Sequence, residues 1–273
     1  MKTVSKTGTI PWLNAEAKAT ERVLNGLEKV LRSLAEKTSR SNIHDARIAL
    51  RHFFALWAVL VQDGWQDSKF EKKIVVQLRR LLDRLGDVRD LDVNLKLGEE
   101  LGCRRELLRR WKTKRKKQKV KLKDFLNSTD IAQLVEELRT FFRKEVRVVA
   151  KHIHQSDLRN ESASRHLALV LNDQAKVTQS LSSAADYKAL HRLRIAVKNW
   201  RYLLEDFGAE PSRQLEKAQQ TLGRIHDLGR LRADLQGRKK DIEALTRLSE
   251  EMRSLRLELA ETMAHMPFDK AAI

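Results

Sequence analysis

Two stretches of the chain repeat one order of chemically active side chains: a histidine, an arginine three residues later, and a second cation four residues after that. Residues 44–51 read HDARIALR, and residues 191–201 read HRLRIAVKNWR. With about 100° between successive residues, these positions share one side of a helix. Arginine offers phosphate oxygens a planar fork of donors and lysine offers a compact charge, so each stretch predicts a phosphate-binding helix face. The members are His44, Arg47 and Arg51 in the first copy and His191, Arg194, Lys198 and Arg201 in the second.

A stripe of apolar residues runs beside each basic stripe and predicts the side of the helix that faces a core. Leu50, Phe53 and Trp57 form it in the first copy, and Leu193 and Val197 begin it in the second. A cation that borders a core is not deeply buried unless it is paired. We therefore expect the basic stripes to line a groove between helices or between two halves of the chain. The alternative interpretation is structural, with each cation held by Asp or Glu on a neighbouring helix.

The two repeated histidines leave two interpretations open. His44 and His191 can be structural residues that donate to a carbonyl or hold a neighbouring Asp. A histidine beside an anion can also gain a proton near neutral pH and become a donor to that anion.

A leucine-glycine pair follows each basic helix, in LGDVRDL at 85–91 and in LGRIHDL at 222–228. Glycine permits a close helix approach or a local break, and we expect the first of these helices to be interrupted at Gly86. The acids at matching positions are expected to orient a basic side chain or cap a turn rather than to act in catalysis. The matching residues are Arg89 and His226, which are candidate ligands, and Asp90 and Asp227, which are candidate orienting carboxylates.

The whole chain is strongly basic. It has 55 Lys and Arg against 37 Asp and Glu, a net charge of +18. Such a charge would attract nucleic acid, an anionic membrane surface or a phosphate polymer. Only 5% of the residues are aromatic, and because single-strand binders stack bases on aromatic rings, a partner without bases is slightly favoured. Residues 104–123 alone hold twelve Lys or Arg and one acid, which indicates either a binding patch or a solvated helix.

The composition indicates an all-α protein, because there are only 3 Pro and 10 Gly among 273 residues and helix formers dominate. Short connections favour antiparallel helical bundles. A turn near 127–130 is predicted to divide the chain into an N-terminal repeat, 10–127, and a C-terminal repeat, 130–262. Apolar periodicity predicts helices over about 11–37, 42–62, 68–100, 103–126, 131–154, 162–182, 186–207, 212–235 and 238–262.

Several classes of site are not expected. No apolar run reaches about 18 residues, so no membrane span is predicted. The single cysteine, Cys103, excludes an internal disulfide, and the reducing cytoplasm is the simplest setting. The spacing of His, Cys, Asp and Glu predicts no metal site, and no glycine-rich nucleotide loop is present. We therefore expect neither a cofactor nor catalytic residues.

The two motifs together resemble the CHAD family, the conserved-histidine α-helical domain. Each copy reads H-x-x-R-[IV]-A-x-[RK] and is followed by LG-x-[IV]-x-D-L, and the resemblance covers about residues 10–262 as a single domain. It implies two antiparallel helical bundles related by an internal pseudo-twofold duplication, with a basic groove or cavity between them. It also implies that the candidate ligands above bind inorganic polyphosphate and that the protein associates with polyphosphate granules. Phe54 stands where the second copy has Arg201, so the two halves need not contribute equally.

We therefore expect a non-enzymatic polyphosphate-binding module. Two alternatives remain: non-specific nucleic-acid binding, which needs no recognition motif, and an enzyme acting on polyphosphate. Many CHAD relatives carry a triphosphate-tunnel domain with an E-x-E-x-K motif, which this chain lacks, so the activity of that domain is not expected. The repeated cations, rather than the tract at 104–123, are expected to converge where the bundles meet and to hold the ligand.

Overall fold

The computed structural model is built from helices, and the residues that it describes contain no strand. It describes residues 11–62, 68–152, 187–206, 210–236 and 241–265. The helices are α1 Pro11–Glu36, α2 Arg40–Gln62, α3 Val76–Glu100, α4 Arg105–Asn127, α5 Ile131–His152, α6 Tyr187–Asp206, α7 Arg213–Leu235 and α8 Ile242–Ala264. One turn at Ser68–Phe70 and a π-helical segment at Glu71–Val75 lead into α3. The all-α prediction is confirmed, and the helix predicted at 162–182 lies outside the described residues.

Local side chains and one glycine set where several helices begin and end. Ser39, Asp130 and Ser212 each accept a hydrogen bond from the backbone N–H three residues later, at 3.0, 2.9 and 3.2 Å. These bonds satisfy donors that have no partner in the first turns of α2, α5 and α7. Gly102 ends α3 with a φ of 76°, a left-handed conformation that glycine adopts without a Cβ clash.

Buried apolar residues form two separate cores. The first core contains residues of α1, α2 and α5, the part of α3 up to Val88, and the end of α4. The second contains α3 from Leu91 onward, the start of α4, and α6, α7 and α8. The cores therefore divide within α3 and α4 and not at the turn near 127–130, because α5 packs back on the first core. The single domain at 10–262 and its two repeats remain predictions.

The helices pack in the same order on both sides of the molecule. α2 packs on α3 and α3 on α4, while α6 packs on α7 and α7 on α8. The two sets meet where α2 contacts α6 and where α3 contacts α7. This order is compatible with the predicted duplication, and the pseudo-twofold relation itself stays a prediction. The four central helices α2, α3, α6 and α7 are the ones that position the candidate site.

The interruption predicted at Gly86 is wrong. α3 runs through Gly86 without a break, and α7 runs through Gly223 in the same way. A glycine inside a helix costs about 1 kcal/mol relative to alanine. The neighbouring Leu85 and Val88 are fully buried at 0% exposure, and burying each such side chain contributes roughly 2 kcal/mol, so the helix persists. The glycine permits close approach instead, since a Cβ on Gly86 would lie 2.7 Å from Nη1 of Arg47.

Candidate anion-binding groove

The four central helices border a groove with a volume of about 550 Å³. α2 and α7 each pack against both α3 and α6, so the groove lies where the two cores meet. The apolar stripes turn toward the cores, and this leaves polar stripes facing the groove. The lining residues are Arg47 and Arg51 from α2, Leu82, Asp83, Gly86, Asp87 and Asp90 from α3, Arg194 from α6, and His226 and Arg230 from α7.

The structure brings four of the repeated cations together: Arg47, Arg51 and Arg194 line the groove, and Lys198 lies near them outside its lining. Burial, and then the charges of Arg51 and Arg194, lower the pKa of Lys198 to about 7. Burial and the charge of Arg51 likewise lower the pKa of Arg47 to about 10. Arg47 and Arg194 hold the same position in the two copies, as do Arg51 and Lys198. α2 and α6 therefore present equivalent cations to one another.

Three of these four cations form no ion pair with a carboxylate in the part of the chain that the structure describes. Among the described residues, Arg47, Arg51 and Lys198 form no ion pair within 4.0 Å. Nη1 of Arg47 instead lies 3.5 Å from the carbonyl oxygen of Leu82. Like charges in a partly desolvated site repel one another and destabilise the site when it holds no anion. The structural interpretation, in which carboxylates hold each repeated cation, therefore does not describe these three residues.

Arg201 lies outside the groove lining, and the structural interpretation fits it. Its Nη2 is 3.3 Å from Oε1 of Glu205, one turn later in α6, and its guanidinium is 5.8 Å from the ring centroid of Tyr202. Glu205 also lies 3.6 Å from Nε2 of His52, and Nδ1 of His52 is 2.7 Å from Oδ1 of Asp206. This polar group joins α2 to α6. Arg201 was predicted as a ligand, and that stays a prediction; the structure shows it in an ion pair with Glu205.

The pKa values of the three candidate histidines are lowered below the ordinary value of a histidine. Burial, and then the charges of Arg194 and His191, lower the pKa of His226 to about 3. The ring centroid of His191 lies 5.2 Å from that of His226, and burial and Arg194 also lower the pKa of His191. Burial, and then the charge of Arg89, lower the pKa of His44. Arg89 thus lies beside His44, outside the groove lining.

Carboxylates occupy one wall of the groove. Oδ1 of Asp90 is 2.6 Å from Nη1 of Arg230, a distance at which the carboxylate can orient that guanidinium. Burial raises the pKa of Asp227, although nearby cations act in the opposite direction. Asp83 and Asp87 are exposed, which keeps their charges solvated and screened by salt.

The ranges that the structure describes contain neither a metal-ligand cluster nor a membrane-spanning helix. No group of three or more His, Cys, Asp or Glu side chains there could hold a metal ion. None of the helices there is both long and apolar enough to cross a membrane.

Comparison with known proteins identifies the family. A family model described as the CHAD domain matches residues 17–236. The chain belongs to the CHAD domain family. The crystal structure of the CHAD domain from the plant Ricinus communis is 19% identical over 92% of each chain, with a TM-score of 0.64. PptA from Streptomyces chartreusis is 16% identical, covers 92% of this chain and 95% of its own, and also has a TM-score of 0.64. At these identities the likeness to the two solved structures shows the fold alone. The comparison with curated proteins found no match.

Sequence reasoning missed three residues of the groove in this CHAD domain. Arg230 follows Gly223 by seven residues and Asp227 by three, so it shares their side of α7, and this helical phase was the available signal. Asp83 and Asp87 stand seven and three residues before Asp90, on the same side of α3. Their spacing could have predicted an acidic side of α3. Short-range sequence patterns do not show that this side faces a basic stripe of another helix.

Proposed function

We propose that this CHAD domain binds inorganic polyphosphate in the groove and does not catalyse a reaction on it. The observation that carries the proposal is the set of three cations, Arg47, Arg51 and Lys198, that lie near one another and form no ion pair within 4.0 Å among the described residues. Partly buried like charges cost free energy until an anion joins them. A single polyanion in contact with all three would replace their repulsion with charge-assisted hydrogen bonds.

The arrangement favours a polymer over an isolated phosphate ion. His44, Arg47 and Arg51 follow one side of α2 over about 10 Å, and the equivalent cations of α6 face them. Cations spaced along a helix can each contact a different phosphate group of one polymer. The CHAD family is linked to polyphosphate, which supports this choice of polymer.

The described lining also favours polyphosphate over nucleic acid. It includes no Phe, Tyr or Trp, and proteins that bind single strands rely on such rings for base stacking. Arg47, Arg51 and Arg194 can hold phosphates, and Asp90 can position Arg230; these roles need no catalytic step. The mechanism we propose is therefore neutralisation of phosphates with release of counterions. A protein that held polyphosphate in this way would associate with polyphosphate granules.

The test compares two double variants that each remove two positive charges. Arg47→Gln with Arg194→Gln alters the groove, and Lys29→Gln with Lys72→Gln alters exposed lysines of α1 and the π-helical segment. We expect the groove double to weaken binding of tripolyphosphate and long-chain polyphosphate roughly 100-fold, since each charged hydrogen bond contributes about 1.5 kcal/mol or more. The control double should change it less than about threefold, because exposed charges act weakly at a distance.

Equal losses in the two doubles at one ionic strength would contradict a site in the groove. Tighter binding to duplex DNA than to polyphosphate of matched charge would support the nucleic-acid alternative. Steady release of orthophosphate that the groove double abolishes would support the enzyme alternative. Circular dichroism confirms that both doubles are folded before affinities are compared.

A further inference from the structure

α4 carries far more positive charge than its place in the fold requires. It has eleven Lys or Arg and two acids. α8, which packs on α7 as α4 packs on α3, has three Arg and five acids. Since a helix in the same packing role is acidic on balance, the scaffold does not need the basic residues of α4. Their excess indicates contact with a polyanion.

Most of these cations face solvent. Only two of them form ion pairs within the described residues, Lys112 with Glu99 at 3.8 Å and Arg115 with Asp92 at 2.6 Å. Between Trp111 and Leu122, α4 has no buried residue. This stretch passes from one core to the other, so an unbroken row of accessible charge lies along the helix there.

A pair of ion pairs connects the start of α2, the helix that carries the groove residues Arg47 and Arg51, to α4. The basic stripe of α2 continues toward its start, because Arg40 precedes His44 by four residues. Nε of Arg40 lies 3.1 Å from Oδ1 of Asp92, and Nε of Arg115 lies 2.6 Å from the same oxygen. The Asp92 side chain is 1% exposed and that of Arg40 is 63% exposed. Asp92 therefore joins the first turn of α2 to α4.

The two ion pairs of α4 also show which of its flanks faces this connection. Lys112 and Arg115 reach α3 on one flank. With 100° between residues, one lysine row continues that flank and a second row lies about 160° around the helix from it. The near row is Lys116, Lys119 and Lys123, and the far row is Lys114, Lys117 and Lys121.

We propose that α4 is a second contact surface for the same polymer, an inference that rests on the proposed function. The segment of polyphosphate that leaves the groove crosses the exposed first turn of α2 and lies along the near row of α4. Short chains end within the groove and do not reach α4. The domain therefore prefers long polyphosphate over short polyphosphate, and the near row supplies that preference.

The experiment uses the two rows as matched variants of one helix. Both the near-row and the far-row triple replace three lysines with Gln at the same spacing. We expect the near-row triple to weaken binding of long-chain polyphosphate about tenfold and to reduce its dependence on salt. The far-row triple should change it less than about threefold. Neither triple should change tripolyphosphate binding more than twofold, whereas Arg47→Gln with Arg194→Gln should weaken both ligands.

Each alternative outcome overturns the inference in a distinguishable way. Equal losses in both triples would mean that α4 attracts anions through its total charge alone. A near-row loss that is the same for tripolyphosphate would mean that α4 belongs to the short-chain site. A loss for single-stranded nucleic acid with polyphosphate binding unchanged would assign α4 to a different partner. In all three cases the loss of binding in Arg47→Gln with Arg194→Gln still shows whether the groove binds polyphosphate, so the proposed function is tested separately.

Discussion

Lys198→Met is expected to stabilise the protein without ligand and to weaken its binding of polyphosphate. Lys198 has a pKa of about 7 in the folded protein, against about 10.4 for a free lysine. A shift of this size corresponds to a folding cost of roughly 5 kcal/mol at most. Methionine has a similar length and no charge, and replacing a buried ion by an apolar residue stabilises by about 1–4 kcal/mol. We expect about 1–3 kcal/mol in favour of the variant below pH 7.

The pH dependence of this gain has a definite sign. Between about pH 7 and pH 10 the unfolded chain keeps the Lys198 proton and the folded protein releases it. The free energy of unfolding of the wild-type protein therefore rises with pH in this window. The advantage of Lys198→Met is largest below pH 7 and disappears as the pH approaches 10.

Urea unfolding at several pH values between 6 and 10 measures this difference directly, with Lys29→Met as a control at an exposed position. Titration with long-chain polyphosphate should show roughly tenfold weaker binding for Lys198→Met, because one phosphate contact is lost. Two results would contradict this explanation of the low Lys198 pKa by burial and by neighbouring positive charges. One is a lower free energy of unfolding for the variant than for the wild-type protein at pH 6, and the other is a difference between them that is the same at every pH.

Four other predictions concern single residues. Gly86→Ala should weaken polyphosphate binding several-fold in a titration. The new Cβ would lie 2.7 Å from Nη1 of Arg47, so the guanidinium would have to move. Gly223→Ala, which meets nothing within 4 Å, should leave binding unchanged and stabilise α7 by about 1 kcal/mol in urea unfolding. Asp92→Asn should destabilise the protein by about 3 kcal/mol in the same assay, because it leaves Arg115 half-buried without a counter-charge; an unchanged midpoint would contradict this. Polyphosphate binding should tighten from pH 8 to pH 6 with proton uptake, since the ligand favours charged Lys198. Calorimetry in two buffers of different ionisation enthalpy measures the uptake, and proton release would contradict it.

Local spacing was sufficient to predict the helices and their basic stripes. His44, Arg47 and Arg51 fall on one side of any α-helix, because backbone hydrogen bonds set its pitch independently of the rest of the chain. Most observed helix ends agree with the predicted ones to within a few residues. The interruption at Gly86 was predicted wrongly because a local rule about glycine took no account of the buried neighbours that hold α3 together.

Spacing could not tell which members of a stripe reach the groove. Arg47, Arg51 and Arg194 line the groove, whereas Lys198 and Arg201 of the same stripes do not. Arg230 belongs to the groove because α7 packs beside α3, and no short-range pattern encodes that contact. The division of the cores within α3 and α4 depends likewise on where α5 packs.

The amino-acid sequence by itself determined the all-α class, the positions of the helices and the presence of two basic stripes, because these follow from interactions within a few turns. Only the tertiary structure decided that the stripes of α2 and α6 face one another and that Arg51 adjoins Lys198. The low pKa of Lys198 arises from burial and from repulsion between residues far apart in the chain. Both effects depend on distances that exist only once the two cores have formed.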